Sequence, residues 1–288
     1  MTQAPAAIPI LTSISGLGSN KAAWLVDIWG VMHNGVVPFP TAVAACEKFR
    51  EQGGLVLLLS NAPRPAPSVA QQLDRIGVRP SAWDLIITSG DASRAMIADV
   101  APGPVFHLGP ERDVPLYDGL EVELGEIESS KAIVCTGLFD DETETPATYH
   151  DLLSVAAARS VPMICANPDK SVQRGSKIIP CAGAVAEAYE ALGGRVVYAG
   201  KPYLPVYDMA LKALSIKLGR KVGRSEVLAI GDGIKTDILG AANAGITSVY
   251  IASGVHLSKD GVLDATTLEI LFPVDAPQPA AAMAKLAW

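Results

Sequence analysis

The chain has 288 residues, 49% hydrophobic and 18% charged, a globular composition with enough apolar material for one large domain or two modest ones. Its 30 acidic and 23 basic residues leave a net charge of -7, which argues against non-specific nucleic-acid or anionic-membrane binding, since both rely on clustered Lys and Arg. A small anionic substrate stays open, because a bound cation reverses the field inside a site.

Residues 1–20 are uncharged, but Pro5, Pro9, Gly16 and Gly18 interrupt them and no basic stretch precedes an apolar run, so they do not read as a signal peptide. Ala22–Val26 reads as a buried strand that runs into a loop at Asp27, and Thr41–Gln52 as a helix. Leu55–Leu59 is a second strand, ending at Ser60-Asn61, and Pro67–Ile76 a second helix. Pro102-Gly103-Pro104 then opens a separate α/β segment that closes at Gly193-Gly194. Inside it, Val105–Leu108, Ala132–Thr136 and Met163–Ala166 read as strands and Thr148–Ala158 as a helix. The last of these strands ends at Asn167-Pro168-Asp169.

After this segment come a helix over Leu204–Leu218, a strand over Val227–Ile230 ending at Gly231-Asp232, a helix over Thr236–Ala244 and a strand over Ser248–Ile251. Residues 238–258 are uncharged, yet Gly240, Asn243, Gly245, Ser253 and Gly254 make them helix, turn and strand rather than a membrane span. The Pro/Ala-rich stretch Pro273–Ala284 reads as a loosely docked terminus. Cys46, Cys135, Cys165 and Cys181 form no C-x-x-C pair, which fits reduced thiols in a cytoplasmic protein better than a zinc site or a disulfide scaffold. Alternating apolar strands and helices predict a doubly wound α/β fold with a parallel sheet, residues 1–100 and 195–288 forming a core and 101–194 an inserted α/β domain.

In such sheets ligands bind beyond the carboxyl ends of the strands. Asp27, Ser60 with Asn61, and Asp232 all stand at strand ends. Each, taken alone, also serves as a helix cap or turn residue. Together they suit phosphoryl transfer, which needs a nucleophile, charge neutralisation and phosphate-binding donors. Asp27 supplies a nucleophilic carboxylate and Asp232 a second one for a hard divalent cation, magnesium. Asp237 can orient a neighbour, Ser60 and Asn61 can donate to phosphate oxygens, and Lys201 can balance charge between phosphate and Asp27.

Four segments resemble, in order, the motifs of the haloacid-dehalogenase superfamily: Asp27-Ile28-Trp29-Gly30-Val31, Leu57-Leu58-Leu59-Ser60-Asn61, Gly200-Lys201-Pro202, and Gly231-Asp232-Gly233-Ile234-Lys235-Thr236-Asp237. The long interval between the second and third, with Asn167-Pro168-Asp169 and Cys181-Ala182-Gly183-Ala184 near its end, is similar to the NagD-like phosphatases, which carry a large α/β cap there. The resemblance implies a magnesium-dependent phosphohydrolase of a small organic phosphate, a sugar phosphate among the candidates, and an aspartyl-phosphate formed on Asp27. It assigns the metal to Asp27, Asp232 and the backbone carbonyl of Trp29, with Lys201 and Asp237 in supporting catalytic roles. Ser60 and Asn61 would bind phosphate, and Asn167 and Asp169 would bring cap contacts to the substrate. A homodimer is the partner such capped relatives suggest.

Trp29 departs from the pattern, since members of this family usually carry a second Asp there as the acid/base. An indole N–H has no useful acidity near neutral pH, and a positioned acid/base is worth about 10²–10⁴-fold. Metal and phosphate binding are therefore expected to survive while monoester hydrolysis weakens, which leaves a catalytically impaired phospho-metabolite-binding protein as the rival reading. His33 is open as a substitute acid/base or as a packed loop histidine. An acyl phosphate would need less protonation, and Trp29 also offers an apolar wall. Arg64 reads either as an anion contact or as a solvated side chain, and Asp140, Asp141, Glu142 and Glu144 as a solvated loop. His107, His150 and His256 lack metal-ligand spacing, and neither a P-loop nor a full dinucleotide fingerprint is present.

Overall fold

The computed structural model describes residues 7–174, 177–252 and 263–288; Pro5, Ser253, Gly254 and His256 lie outside them. The strands are β1 (Ala23–Val26), β2 (Leu55–Ser60), β3 (Leu85–Thr88), β4 (Val105–Leu108), β5 (Ala132–Cys135), β6 (Met163–Cys165), β7 (Ser171–Arg174), β8 (Lys177–Pro180), β9 (Val196–Tyr198), β10 (Val227–Gly231), β11 (Thr247–Ile251) and β12 (Ala281–Met283). The chain divides into two compact units, one of residues 1–60, 70–86 and 207–288, the other of 61–69 and 87–206.

A six-stranded sheet in the order β12-β11-β10-β1-β2-β3 organises the first unit. β1 lies parallel between β10 and β2, with Val26 level with Ile230 on one side and Leu58 on the other. Both faces of β1 are covered, so all four of its residues are buried and apolar. Chain order reverses at β1, with β2 on one side and β10 on the other. That switch point opens a crevice at the carboxyl ends of the strands, and Asp27 and Asp232 are the residues there.

The helix Pro40–Glu51 begins on a proline, whose missing N–H costs nothing at a first turn. It buries Ala42, Val43, Ala45, Cys46 and Phe49. Phe49 stacks on Trp24 at 4.1 Å, and the Trp24 indole N–H donates to the Gly18 carbonyl at 3.2 Å.

The second unit holds a parallel four-stranded sheet, β4-β5-β6-β9, and an antiparallel hairpin of β7 and β8. One of its cores gathers Ile133, Met163, Leu153, Val185 and Tyr189. The helix Ser89–Ala98 starts on a capping box: the Thr88 hydroxyl accepts the Asp91 N–H at 2.9 Å, and Asp91 accepts the Thr88 N–H at 3.0 Å. The sequence carries that signature, Thr88-x-x-Asp91, although the reading above gives no element between 77 and 101. It also passes over the helix Ala182–Ala191 and the strands β7, β8 and β9.

The terminal stretch needs correction. Ala281–Met283 is fully buried and pairs in parallel with β11, while Ala282 exchanges backbone bonds with Pro9 and Leu11. Pro273, Pro277 and Pro279 interrupt the first part of 273–284, but the strand uses its proline-free end, where the alanines let backbones approach. Among the described residues, no helix is long and apolar enough to cross a membrane.

Candidate active site

Parallel pairing of β1 with β10 sets the geometry of the first unit's site. The Asp27 N–H continues the ladder by donating to the Ile230 carbonyl at 2.8 Å. Asp27 thus leaves the sheet beside Gly231-Asp232. Asp237 arrives from the next turn, where Asp237 and Ile238 both donate to the Gly233 carbonyl, at 2.8 and 3.0 Å. This is a π-turn over Ile234–Ile238, a widened geometry common at functional sites. In return the Asp237 carboxylate accepts the Gly233 N–H at 2.9 Å. The structure brings Asp27, Asp232 and Asp237 together, one oxygen from each lying within 4.8 Å of the others. Asp27 and Asp237 are buried, and Asp232 is half-buried.

Three carboxylates so close repel one another unless a cation joins them. An all-oxygen donor set of this kind fits a hard divalent ion such as magnesium. Gly30 is the residue that reading the sequence for chemistry missed. Its φ is +83°, and a side chain there would run into the Asp232 carboxylate. A glycine three residues after the strand-end Asp27 is the available signal.

Trp29 is half-buried above the following turn. Its ring meets His33 edge-on, with centroids 5.2 Å apart, and any side chain at Gly35 would collide with the indole. His33 is 1% exposed, and its Nδ1 accepts the Gly35 N–H at 2.9 Å. Burial brings its pKa down to about 4, against a smaller upward pull from its own backbone. At neutral pH it is an uncharged packing group with one ring nitrogen already engaged, the second of the two readings above.

A second constellation lies wholly within the other unit. The Asn61 side chain pairs with the Lys201 peptide, Oδ1 accepting its N–H at 2.7 Å and Nδ2 donating to its carbonyl at 3.1 Å. Nδ2 also donates to Asp169 at 2.9 Å, and the Asp169 N–H donates to Asn167 Oδ1 at 3.0 Å. Burial pushes the Asp169 carboxyl above its ordinary range, while the Asn61 amide and the Lys201 charge pull it back. Lys201 and Asn167 are buried. Ser89, fully buried, stands beside Gly200 with Asn61 and Pro168, at a distance that leaves no room for a side chain at position 200. Ser60 closes β2 as a buried residue of the first unit. Arg64 runs toward buried Asp113, with Nε 3.9 Å from its carboxylate.

A family model described as haloacid dehalogenase-like hydrolase matches residues 24–123, and a HAD-hydrolase-like model matches 198–269. A crystal structure of a hydrolase of the haloacid dehalogenase-like family from Brucella suis 1330 is 42% identical. It covers 95% of this chain and 98% of its own, with a TM-score of 0.85. The chain belongs to the haloacid dehalogenase-like hydrolases. An acid sugar phosphatase of Staphylococcus saprophyticus is 26% identical, over 84% of this chain and 90% of the relative. The 4-nitrophenylphosphatase of Thermotoga maritima, 21% identical with a TM-score of 0.71, covers 93% of this chain and 95% of its own and shares the fold. For a haloacid dehalogenase-like hydrolase, the carboxylate group at the β1/β10 switch point stands where the architecture places ligands.

Proposed function

We propose that the protein is a magnesium-dependent phosphohydrolase of small organic phosphates. The observation that carries this reading is the convergence of Asp27, Asp232 and Asp237 within 4.8 Å. Asp27 is the nucleophile: its carboxylate oxygen attacks phosphorus and forms an aspartyl-phosphate, which water then hydrolyses. Magnesium, when bound, neutralises charge on the transferring phosphoryl group. Asp27, Asp232 and the carbonyl of Trp29 hold it, and Asp237 supports that set by anchoring the turn at Gly233. Ser60 and Lys201 bind phosphate; the Asn61 amide, expected as a phosphate donor, commits both N–H groups to the Lys201 carbonyl and Asp169 and acts instead by fixing the Lys201 backbone. Asn167 and Asp169 select the rest of the substrate, and residues 101–194 act as the cap. The names of the curated relatives suggest a sugar phosphate.

The test is a panel of phosphate esters with magnesium, run on the wild type and on Asp27→Asn. Turnover that disappears in Asp27→Asn, a fall of at least about 10³-fold for loss of a nucleophile, is the expected result. A panel with no turnover, alongside retained binding of phosphorylated ligands, would instead select the binding-protein reading, which Trp29 favours.

A further inference from the structure

The second unit brings Arg64 and Asp113 together, and the phosphoryl chemistry above uses neither. Asp113 is 2% exposed, and taking a carboxylate that far out of water is costly unless a cation meets it. Burial pushes its carboxyl above the ordinary range, against the pull of the Arg112 and Arg64 charges. Arg112 pairs with Asp141, while the Arg64 Nε lies 3.9 Å from the Asp113 carboxylate. The backbone that carries Arg64 is pinned to the start of the helix Ser89–Ala98. The Gly90 N–H donates to the Ala62 carbonyl at 3.0 Å, and the Ala66 N–H donates to Asp91 at 3.1 Å. A side chain at Gly90 would strike the backbone of Pro63 and Arg64, and Ser89, one residue earlier, stands beside Gly200 with Asn61. Arg64 is thus a half-buried cation on a fixed backbone, neighbouring the set of Asn61, Lys201 and Asp169.

We propose that Arg64 is a specificity residue that binds a carboxylate on the organic part of the substrate, with Asp113 as the positioning residue that holds its guanidinium. The inference rests on the phosphohydrolase reading and narrows it, from small organic phosphates to phosphorylated hydroxy acids and sugar acids. A guanidinium carries five N–H donors in a planar fork, so it can hold Asp113 at Nε and a second carboxylate along another edge at once. A lysine is a point charge and offers no such division. In the phosphohydrolase reading the phosphoryl group is met by Ser60, Lys201 and the cation. A further fixed arginine in the same unit as Lys201 therefore matches a second anionic group. Asp113 lowers the cost of that recognition, because a long side chain already held in one direction loses less freedom when the ligand arrives.

The experiment compares matched esters that differ by one carboxylate, phosphoglycolate against ethyl phosphate and phosphoglycerate against glycerol phosphate, with kcat and KM read separately. The wild type should favour the carboxylated member of each pair. Arg64→Gln should reduce that preference by about 10–10²-fold, the usual worth of hydrogen bonds between charged groups, mainly through KM. Arg64→Lys, which keeps a charge beside Asp113, should recover part of it. Asp113→Asn should reduce the preference as well and add little in the Arg64→Gln background; fully additive losses would overturn the positioning role. A wild type without the preference, or an Arg64→Gln variant that loses equally on both members of a pair, would overturn the inference and leave the phosphohydrolase reading standing. If the wild type turns over none of these esters, that reading fails. Calorimetric titration of the same compounds then decides the inference, and carboxylated ligands that bind wild type and Arg64→Gln with equal Kd would overturn it.

Discussion

The residues after Asp27 show how packing decides chemistry that residue type leaves open. His33 has the titration range of an acid/base, yet the fold spends it as an acceptor for the Gly35 N–H in a buried turn. Its folded pKa, lowered from 6.5 to about 4, means that the unfolded chain binds more protons between those values. The stability it contributes is complete above pH 6.5 and is lost as pH falls through 6.5 toward 4. Urea midpoints measured across that range should decline in the wild type, and His33→Gln should flatten the decline. An unchanged slope in the variant would mean that other groups carry the acid sensitivity.

At the scale of elements, the informative case is β12. Its three residues are fully buried between β11 and the backbone of residues 9–11. Ala282 also belongs to the cluster of Ile238, Tyr250, Leu268 and Phe272, and Trp288 tilts against Trp24 at 6.0 Å. Removing residues 280–288 should therefore strip one edge of the sheet and uncover apolar surface. We expect loss of cooperative melting or of soluble protein, checked by thermal denaturation and gel filtration. A truncated chain that melts within a few degrees of the full chain would show the strand to be dispensable. Composition concealed this element: Pro273, Pro277 and Pro279 mark a stretch unsuited to a strand, and only the pairing of Ala281–Met283 with β11 reveals that the proline-free end is used.

On the scale of the whole molecule, the predicted site residues fall into two sets, each within one unit. Asp27, Asp232 and Asp237 belong to the first, Asn61, Asn167, Asp169 and Lys201 to the second. The proposed cation site therefore draws its carboxylates from the first unit. Magnesium at about 100 times its dissociation constant should stabilise the folded chain by ~2.7 kcal/mol, seen as a rise in Tm. Asp232→Asn should abolish most of that rise, whereas a full shift in the variant would place the ion elsewhere.

Much of this arrangement was legible in the sequence. Continuous apolar runs ending in Asp27, Ser60-Asn61 and Asp232 announce parallel strands with polar carboxyl ends, because a strand buried on both faces excludes polar side chains until it leaves the sheet. Family membership followed from the order of the same segments. Tertiary structure decided what depends on contacts distant in the chain. The register of β1 against β10 brings Asp27 beside Asp232, and the Asn61 amide finds the peptide of Lys201, 140 residues away. The burial that makes His33 a packing group also arises only when the loop closes, since local sequence sets which groups a residue carries, while folding sets which of them meet water, a proton or one another.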